Sequence, residues 1–449
     1  MPGLTIAAVL QLAPDAASAQ NGQVLATERK WVLLGKDEGA LWGECQGSGA
    51  KPYRVQVDLS DLATQCSCPS RKFPCKHGLG LMLLYAARPD ALAAGARPEW
   101  VAAWLASRAE RAAKKAEKQE QREQKPVDAA AQAARRAKRW ERVRAGCAEL
   151  QVWLLDQLRR GLAGMPAHGY HFFENQARRL IDAQAPGAAR LIQQLGELAS
   201  SGTDWQLPFV HRFASLHLLC RATERLESLP TTTQADLAAT LGLPTSAEEL
   251  AALPAIADSW LVIAQQVEVD DRLRSQRNWL LGRQTKRTAL VLHFAHGTAP
   301  LDARLRPGTE VEAELVFYPG SHTRAALRSN PLAVKPLQTL DGHPDFTAAL
   351  ARFAAHLAEY PWLDRLALVI DQVRLARQGE DWWLVDLSNQ ALPLIRRESL
   401  HWTLLAITGG QPAQVVAEWD GRRLRPLSVM VADQFHQLVE PVSTPLEAP

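Results

Sequence analysis

The sequence lacks most of the patterns that would identify an enzyme or a membrane protein. It contains no phosphate-binding loop of the form G-x-x-x-x-G-K-[ST], no dinucleotide-binding G-x-G-x-x-G, no H-E-x-x-H and no G-x-S-x-G. It also contains no run of about 18 apolar residues, so we expect no membrane span. We therefore name no catalytic residue, and an enzyme stays open only as a site that the sequence does not reveal.

Cysteine is scarce, with six residues in a chain of 449. A chain of this length can bury its own cores, and a disulfide framework is not expected. A short apolar stretch near the amino terminus imitates a secretory signal, but no basic segment precedes it, and Gln11, Pro14 and Asp15 interrupt it. We interpret this stretch as part of the mature fold. We expect a cytoplasmic protein, because reducing conditions keep clustered thiols free to bind metal.

Charge of one sign is not in excess, since the formal net charge is +3. Residues 108–144 are the exception: they hold thirteen Lys or Arg and six Asp or Glu, a net charge of +7, which leaves −4 for the rest of the chain. Their composition favours helix, with a break at Pro126. Two interpretations stay open, a solvated connecting helix or a contact surface for phosphate or an acidic partner. No aromatic residue lies between Arg108 and Trp140, so base stacking is not predicted there.

Three of the six cysteines lie within one short segment, C-S-C-P-S-R-K-F-P-C-K-H. The four candidate ligands are Cys66, Cys68, Cys75 and His77. Residues i and i+2 of an extended chain face the same side, so each C-x-C or C-x-H pair can direct both side chains at one ion. Three thiolates and one imidazole make a closed tetrahedral set with no position left for water. The segment therefore predicts one structural Zn²⁺.

Two other interpretations of these thiols fit less well. Buried structural cysteines would lie among core residues, whereas these lie among Ser, Pro, Arg and Lys. A redox pair would require the C-x-x-C spacing, which is absent here. The remaining cysteines, Cys45, Cys147 and Cys220, are scattered and are predicted to be small buried residues. His217 lies three residues before Cys220, but the apolar segment around them is typical of a core rather than of a second metal site.

The segment and its surroundings resemble the SWIM-type zinc finger. The pattern is C-x-C, six residues, then C-x-H, preceded by an alternating strand at Tyr53–Leu59 and followed by an apolar helix. The resemblance implies a zinc-dependent finger that binds DNA or protein. The layout of the whole chain is also similar to bacterial SWIM-finger proteins often encoded beside a MoxR-type ATPase and a von Willebrand factor A protein. It therefore implies a protein partner, with these two as candidates.

Hydrophobic periodicity predicts a multidomain α+β fold. The predicted parts are an amino-terminal unit at residues 1–105 with the finger core at about 50–88, a basic helical linker at 106–139, a helical domain at 140–280 and an α+β domain at 281–449. The pattern reads as helical from Trp140 to Asn278. After that point strands dominate, and Asp420-Gly421 between two apolar runs predicts a hairpin.

Three functions are consistent with the sequence. We favour a zinc-binding adaptor whose finger docks a protein partner, within an ATPase-associated complex if the wider resemblance holds. The first alternative is a nucleic-acid binder that uses Arg71, Lys72 and Lys76 together with the basic 108–144 segment. The second alternative is an enzyme with its site in the carboxy-terminal domain. None of the three requires a membrane.

Overall fold

A computed structural model describes residues 6–13, 16–47, 51–60, 62–70, 74–110, 129–202, 204–270, 273–297, 299 and 301–439. The chain divides into two compact units, Met1–Asp128 and Ala129–Pro449, and each is described by itself. Across these described ranges no helix has both the length and the apolar composition needed to cross a bilayer. Arg71, Lys72 and Pro126 lie outside the described residues.

The first unit is a small five-stranded sheet with helices. Its helices are α1 (Ile6–Gln11), α2 (Ala16–Leu25), α3 (Lys76–Ala87) and α4 (residues 99–110), and its strands are β1 (Trp31–Lys36), β2 (Ala40–Cys45), β3 (Tyr53–Asp58), β4 (Thr64–Cys66) and β5 (Ala93–Ala94). The strand order is β4-β3-β2-β1-β5, and β1 to β4 form an antiparallel meander. Helix α3 buries Leu79, Leu81 and Leu84 completely against this sheet. The predicted order of strands, metal loop and helix is therefore present.

Helix α2 lies directly against α3 because two glycines allow the backbones to approach. A Cβ atom at Gly22 would lie 2.8 Å from the Cβ of Leu79, and one at Gly80 would lie 2.8 Å from the Cβ of Leu25. The indole nitrogen of Trp31 then donates a hydrogen bond to the Leu25 carbonyl at 2.9 Å. These contacts fix the segment between α2 and β1 beside the start of α3.

The second unit begins with helices. They are α5 (Ala129–Arg160), α6 (Gly169–Asp182), α7 (Pro186–Ala199), α8 (Gln206–Glu224), α9 (Thr231–Leu241) and α10 (Ala247–Ala251). Apolar residues of α5 to α9 form one core, which includes Leu150, Phe209 and Leu237. A capping box starts α10: Ser246 accepts from the Glu249 amide, and the Glu249 carboxylate accepts from the Ser246 amide.

Five strands that follow close into a barrel. They are β6 (Ala255–Asp270), β7 (Leu273–Gly282), β8 (Thr288–His296), β9 (Thr309–Phe317) and β10 (Arg324–Leu327). A short additional strand, β11 (Ala333–Pro336), pairs antiparallel with β9. Around the barrel the order is β6-β7-β8-β10-β9, with β8 and β10 parallel and all other pairs antiparallel. OB-type barrels, which are five-stranded Greek keys, share this connectivity. Trp260, Val262 and Leu280 lie in its interior core.

A six-stranded antiparallel sheet completes the unit. Its strands are β12 (Leu366–Gln378), β13 (Asp381–Val385), β14 (Ala391–Pro393), β15 (Ala413–Trp419), β16 (Leu424–Val431) and β17 (Gln434–Gln437), in the order β14-β13-β12-β15-β16-β17. Helices α11 (Phe346–Glu359) and α12 (Glu398–Thr408) share its core. The predicted Asp420-Gly421 hairpin joins β15 to β16, and Gly421 has a φ of +90°.

Buried polar contacts join the barrel to this sheet. Glu418 on β15 is 3% exposed, and its carboxylate accepts from the Trp279 indole nitrogen at 2.7 Å. The same carboxylate lies 3.5 Å from the guanidinium groups of Arg277 and Arg365. Burial lowers the pKa of Arg277, while the charge of Glu418 acts in the opposite direction. Glu418 is therefore the buried anion of a network in which Glu268, 46% exposed, is the second anion and lies 2.9 Å from Arg277. Loss of a buried charge partner costs more than loss of a water-exposed one.

The segment between α11 and β12 reaches back to the helices. Trp362 is 7% exposed within the helical core, and its indole nitrogen donates to the Ser215 carbonyl at 3.3 Å. Arg212 donates to Asp364 at 2.8 Å, and the hydroxyls of Thr240 and Tyr360 lie 2.9 Å apart. Side-chain contacts therefore join the helices to the last sheet and the last sheet to the barrel, within one unit.

One secondary-structure prediction is wrong. Helix was predicted up to Asn278, but β6 and β7 occupy residues 255–282. The physical reason is that β6 is buried on both faces: Trp260 and Val262 face the barrel interior, while Leu261 and Ile263 belong to the core of the last sheet. A strand covered on both faces gives a continuous apolar run without alternation, which periodicity does not separate from a helix. The bounds of the four predicted domains remain predictions.

Candidate metal centre

The candidate ligands come from the end of a strand and the start of a helix. Cys66 is the last residue of β4, and Cys68 lies in the bend that follows. Cys75 is the N-cap residue of α3, and His77 lies in the first turn. Because β4 pairs with β3 while α3 packs on the same sheet, the two arms of the loop meet. The fold thus brings together four side chains that the sequence spaces over twelve residues.

The ligand atoms have the separations of a tetrahedral site. The three sulfurs and a ring nitrogen all lie within 4.8 Å of one another. The Nδ1 atom of His77 is 3.7 Å from the sulfur of Cys66 and 4.0 Å from that of Cys75. Tetrahedral Zn²⁺ with its usual bond lengths would place a sulfur and a nitrogen ligand roughly 3.6 Å apart. These residues are therefore positioned to bind one zinc ion.

Local hydrogen bonds favour a thiolate at the helix start. The backbone N–H of Gly78 donates to the sulfur of Cys75, and the N–H of Cys68 donates to the sulfur of Cys66, both at 3.5 Å. Hydrogen bonds from the Cys66 thiol, the His77 ring and the Gly78 amide lower the pKa of Cys75. The thiolate is the form that binds metal.

The site is closed, which is typical of zinc that stabilises a fold. Cys75 and His77 are 2% and 5% exposed. Four protein ligands fill a tetrahedral shell, so no coordination position remains for a substrate or an activated water. When bound, the ion would cross-link β4 to α3, and the ligands would contribute folding free energy rather than chemistry.

The other three cysteines do not join the cluster. Burial raises the pKa of Cys45 to about 11, as expected for a small thiol in a core. Cys147 and Cys220 are both 2% exposed in the helical core of the second unit. Among the described residues the cluster at Cys66 is the one group with metal-binding geometry, and His217 and Cys220 do not form another.

Replacing Cys220 with alanine should have a small effect. The substitution removes one buried sulfur from the helical core and leaves every zinc ligand intact, so we expect a loss of about 1 kcal/mol in the free energy of unfolding. Urea unfolding followed by circular dichroism, with zinc content measured in parallel, checks this. Loss of bound zinc in this variant would contradict the assignment of Cys220 to the core.

A large groove adjoins the metal site. Its volume is about 860 Å³, and its walls include Cys68 and His77 of the site and the Tyr53 ring, whose centroid lies 4.9 Å from that of His77. Three exposed cations line it, Arg29, Lys30 and Lys76. No described residue that lines this groove carries a carboxylate. We name it the finger groove; its surface is positive.

One of these three cations was predicted from the sequence as a contact residue. Lys76 was a predicted contact residue, and it lies exposed at the first position of α3. Arg29 and Lys30 were missed because they precede the first zinc ligand, Cys66, by more than 30 residues, and the contact of α2 with α3 brings them close to it. In the basic segment, the charges of Arg136 and Arg144 are partly satisfied by ion pairs to Glu249 and Glu227.

Comparisons with known proteins agree with this geometry. Residues 53–86 match the family described as the SWIM zinc finger, and residues 138–241 match the SWIM-associated four-helix bundle domain. The first range spans β3, the metal ligands and nearly all of α3, and the second spans most of α5 and all of α6 to α9. Searches of the curated proteins and of the solved structures found no match. The chain therefore carries a SWIM zinc finger followed by the helical bundle domain that is associated with it.

Proposed function

We propose that the protein is an adaptor whose zinc-folded amino-terminal unit docks an acidic segment of a partner protein in the finger groove. The observation that carries the proposal is the convergence of Arg29, Lys30 and Lys76 on one concave surface without a lining carboxylate. Glu28 directly precedes Arg29 in the sequence, but its carboxylate forms an ion pair with Arg88 at 3.0 Å rather than lining the groove. Positive potential concentrated in a concavity attracts anionic ligands and speeds their association.

An acidic peptide fits this groove better than a nucleic acid does. Strand-binding proteins combine a basic track with a series of aromatic rings on which successive bases stack. The finger groove has one lining aromatic, Tyr53, whose ring is already in contact with His77. The candidate partners implied by the sequence resemblance are a MoxR-type ATPase and a von Willebrand factor A protein, and a reducing cytoplasm would suit the thiolate site.

Reversing two of the groove charges should weaken peptide binding. In the Arg29→Glu, Lys76→Glu double variant we expect the Kd for a fluorescently labelled Glu-rich peptide to rise about tenfold, because two exposed attractions of up to about 1 kcal/mol each become repulsions. Lys76→Glu should not disturb the helix, since a carboxylate at a helix amino terminus is favourable. Fluorescence anisotropy of the full-length zinc-loaded protein measures the change.

The matched control is Lys51→Glu, which changes the charge of an exposed lysine in the same unit that does not line the groove. It should bind the peptide as the unmodified protein does. Zinc content shows whether each variant is folded. Equal affinity of the double variant and the unmodified protein would remove the proposal.

The second candidate function is nucleic-acid binding, favoured by the same cations and by Arg135, Arg139 and Arg142 on α5, for which no ion pair to a described residue is seen. Phosphate contacts release counterions, so affinity would fall steeply with salt. A labelled DNA strand of about 20 nucleotides that outcompeted the peptide, with such a salt dependence, would replace the adaptor proposal with this one.

A further inference from the structure

A second basic cleft lies in the second unit, where the barrel meets α11 and the last sheet. It consists of two neighbouring cavities of about 290 Å³ each, which share Thr288 and Arg352 as lining residues. We name it the Arg352 cleft. It lies within the second unit and has no residue in common with the finger groove. Its size is that of a small-molecule site.

Two guanidinium groups line this cleft without a carboxylate partner. Arg352 is half-buried on α11, and no described residue forms an ion pair or hydrogen bond with its side chain. Arg287 is held over the Phe317 ring, 3.9 Å from its centroid, and likewise has no carboxylate partner among the described residues. The two lining carboxylates do not neutralise them: Asp341 pairs with Lys286, and Glu359 is exposed at the rim. An arginine kept half-buried without a partner is unfavourable unless something else binds it.

Neutral hydrogen-bonding groups surround the two arginines. Burial, and then the charge of Arg324, lower the pKa of His322 to about 4, so its ring is uncharged at neutral pH. Burial and the charge of Arg352 lower the pKa of His356, and the buried Nε2 atom of His356 has no hydrogen-bond partner in the described structure. Hydroxyl groups come from three lining residues, Thr288, Ser321 and Thr323.

The loop that supplies part of this lining is held rigidly. Gly320 has a φ of +115°, and a Cβ atom there would lie 2.2 Å from a carboxylate oxygen of Asp236. That carboxylate, on α9, accepts from the Ser321 amide at 2.8 Å. The β9–β10 loop is therefore anchored to the helical bundle before any ligand arrives, which reduces the entropy lost on binding.

We propose that the Arg352 cleft binds a small organic phosphate, with the phosphoryl group between Arg287 and Arg352. Arginine forks match the oxygens of phosphate, and hydroxyls from several directions suit a tetrahedral anion better than a planar carboxylate. The organic part of the ligand lies in the cavity that Ile263 and Leu281 line, against their apolar side chains. Cavities of about 290 Å³ each suit a single small molecule rather than a polymer strand.

The test measures phosphate binding to the full-length zinc-loaded protein by isothermal titration calorimetry, with inorganic phosphate and pyrophosphate as probes. Arg352→Gln should raise the Kd about tenfold or more, because a hydrogen bond between charged groups is lost. The matched control is Arg306→Gln, which removes an exposed arginine from the segment between β8 and β9 of the same barrel, outside the lining of the cleft. It should change the Kd by less than about twofold.

Two further readouts separate binding from a structural role and from the finger groove. Without ligand, Arg352→Gln should melt within about 1 °C of the unmodified protein, since Arg352 has no described protein partner to lose. The Arg29→Glu, Lys76→Glu variant should retain phosphate binding in full. Equal losses in the Arg352 and Arg306 variants, tighter binding of malonate than of phosphate, or a preference for a DNA strand would each overturn the proposal.

Discussion

Cys68→Ser and His77→Ala should each abolish stoichiometric zinc binding and unfold the amino-terminal unit. Each change removes one of four ligands whose atoms lie within 4.8 Å of one another. Structural zinc contributes about 10–16 kcal/mol of apparent binding free energy in finger peptides, and binding is coupled to folding. A unit this small has little stabilising free energy from its hydrophobic core alone. The metal loop also connects α3 to β4 of the sheet, so loss of the ion loosens that connection. Elemental analysis of the full-length protein and thermal unfolding by circular dichroism measure both effects.

The matched control for these variants is Cys45→Ala in the same unit. Cys45 is fully buried on β2 and is not a ligand, so its replacement should cost about 1 kcal/mol while zinc stays at one ion per chain. The comparison separates loss of metal from loss of packing. A Cys68→Ser protein that kept one zinc per chain and melted normally would show that the four residues do not form the site.

Glu418→Ala should strongly destabilise the second unit. It leaves the guanidinium of Arg277, which is 11% exposed, with Glu268 at 2.9 Å as its remaining anion, and Glu268 is itself 46% exposed. It also leaves the Trp279 indole nitrogen without an acceptor. Removing one partner of a buried ion pair typically costs about 3–5 kcal/mol, and the remaining contact with Glu268 places this variant at the lower end of that range. For a unit of this size we expect a fall in Tm on the order of 10 °C.

Two companion variants sharpen this prediction. Glu418→Gln retains an acceptor for Trp279 but not the charge, so its Tm should fall between those of the alanine variant and the unmodified protein. Glu312→Ala removes an exposed carboxylate that lies 4.0 Å from Lys335, and the free energy of unfolding should change by less than about 1 kcal/mol. If Glu418→Ala melted like Glu312→Ala, the network would not hold the barrel to the sheet.

The zinc site could be predicted from sequence because everything that defines it is local. The ligands occupy twelve residues, and the pairing of β3 with β4 spans only a short turn. Amphipathic helices such as α6 and α11 were predictable for the same reason, since their apolar faces repeat within the segment itself. The hairpin at Asp420-Gly421 was predictable as well, because an Asp-Gly pair between two apolar runs is itself a turn signal.

What could not be predicted depends on contacts between distant segments. The barrel closes through the pairing of β8 with β10, and nothing in either strand specifies the other. Arg287 and Arg352 reach one cleft from positions more than 60 residues apart. Glu418 is the second-to-last residue of a strand whose sequence is that of an ordinary sheet segment, and its burial follows only when β15 lies against β7. Chemistry that is assembled by tertiary packing leaves no short-range pattern.

The anchoring of Trp362 in the helical core has a consequence for how this chain could be cut or recombined. The bundle that ends near residue 241 is completed by a side chain contributed from more than 100 residues further along. A fragment stopping at that boundary would expose the apolar surface that Trp362 covers and would leave Arg212 without Asp364. A stable fragment of this chain that contains the bundle would therefore have to extend at least to Asp364, and so would include the barrel.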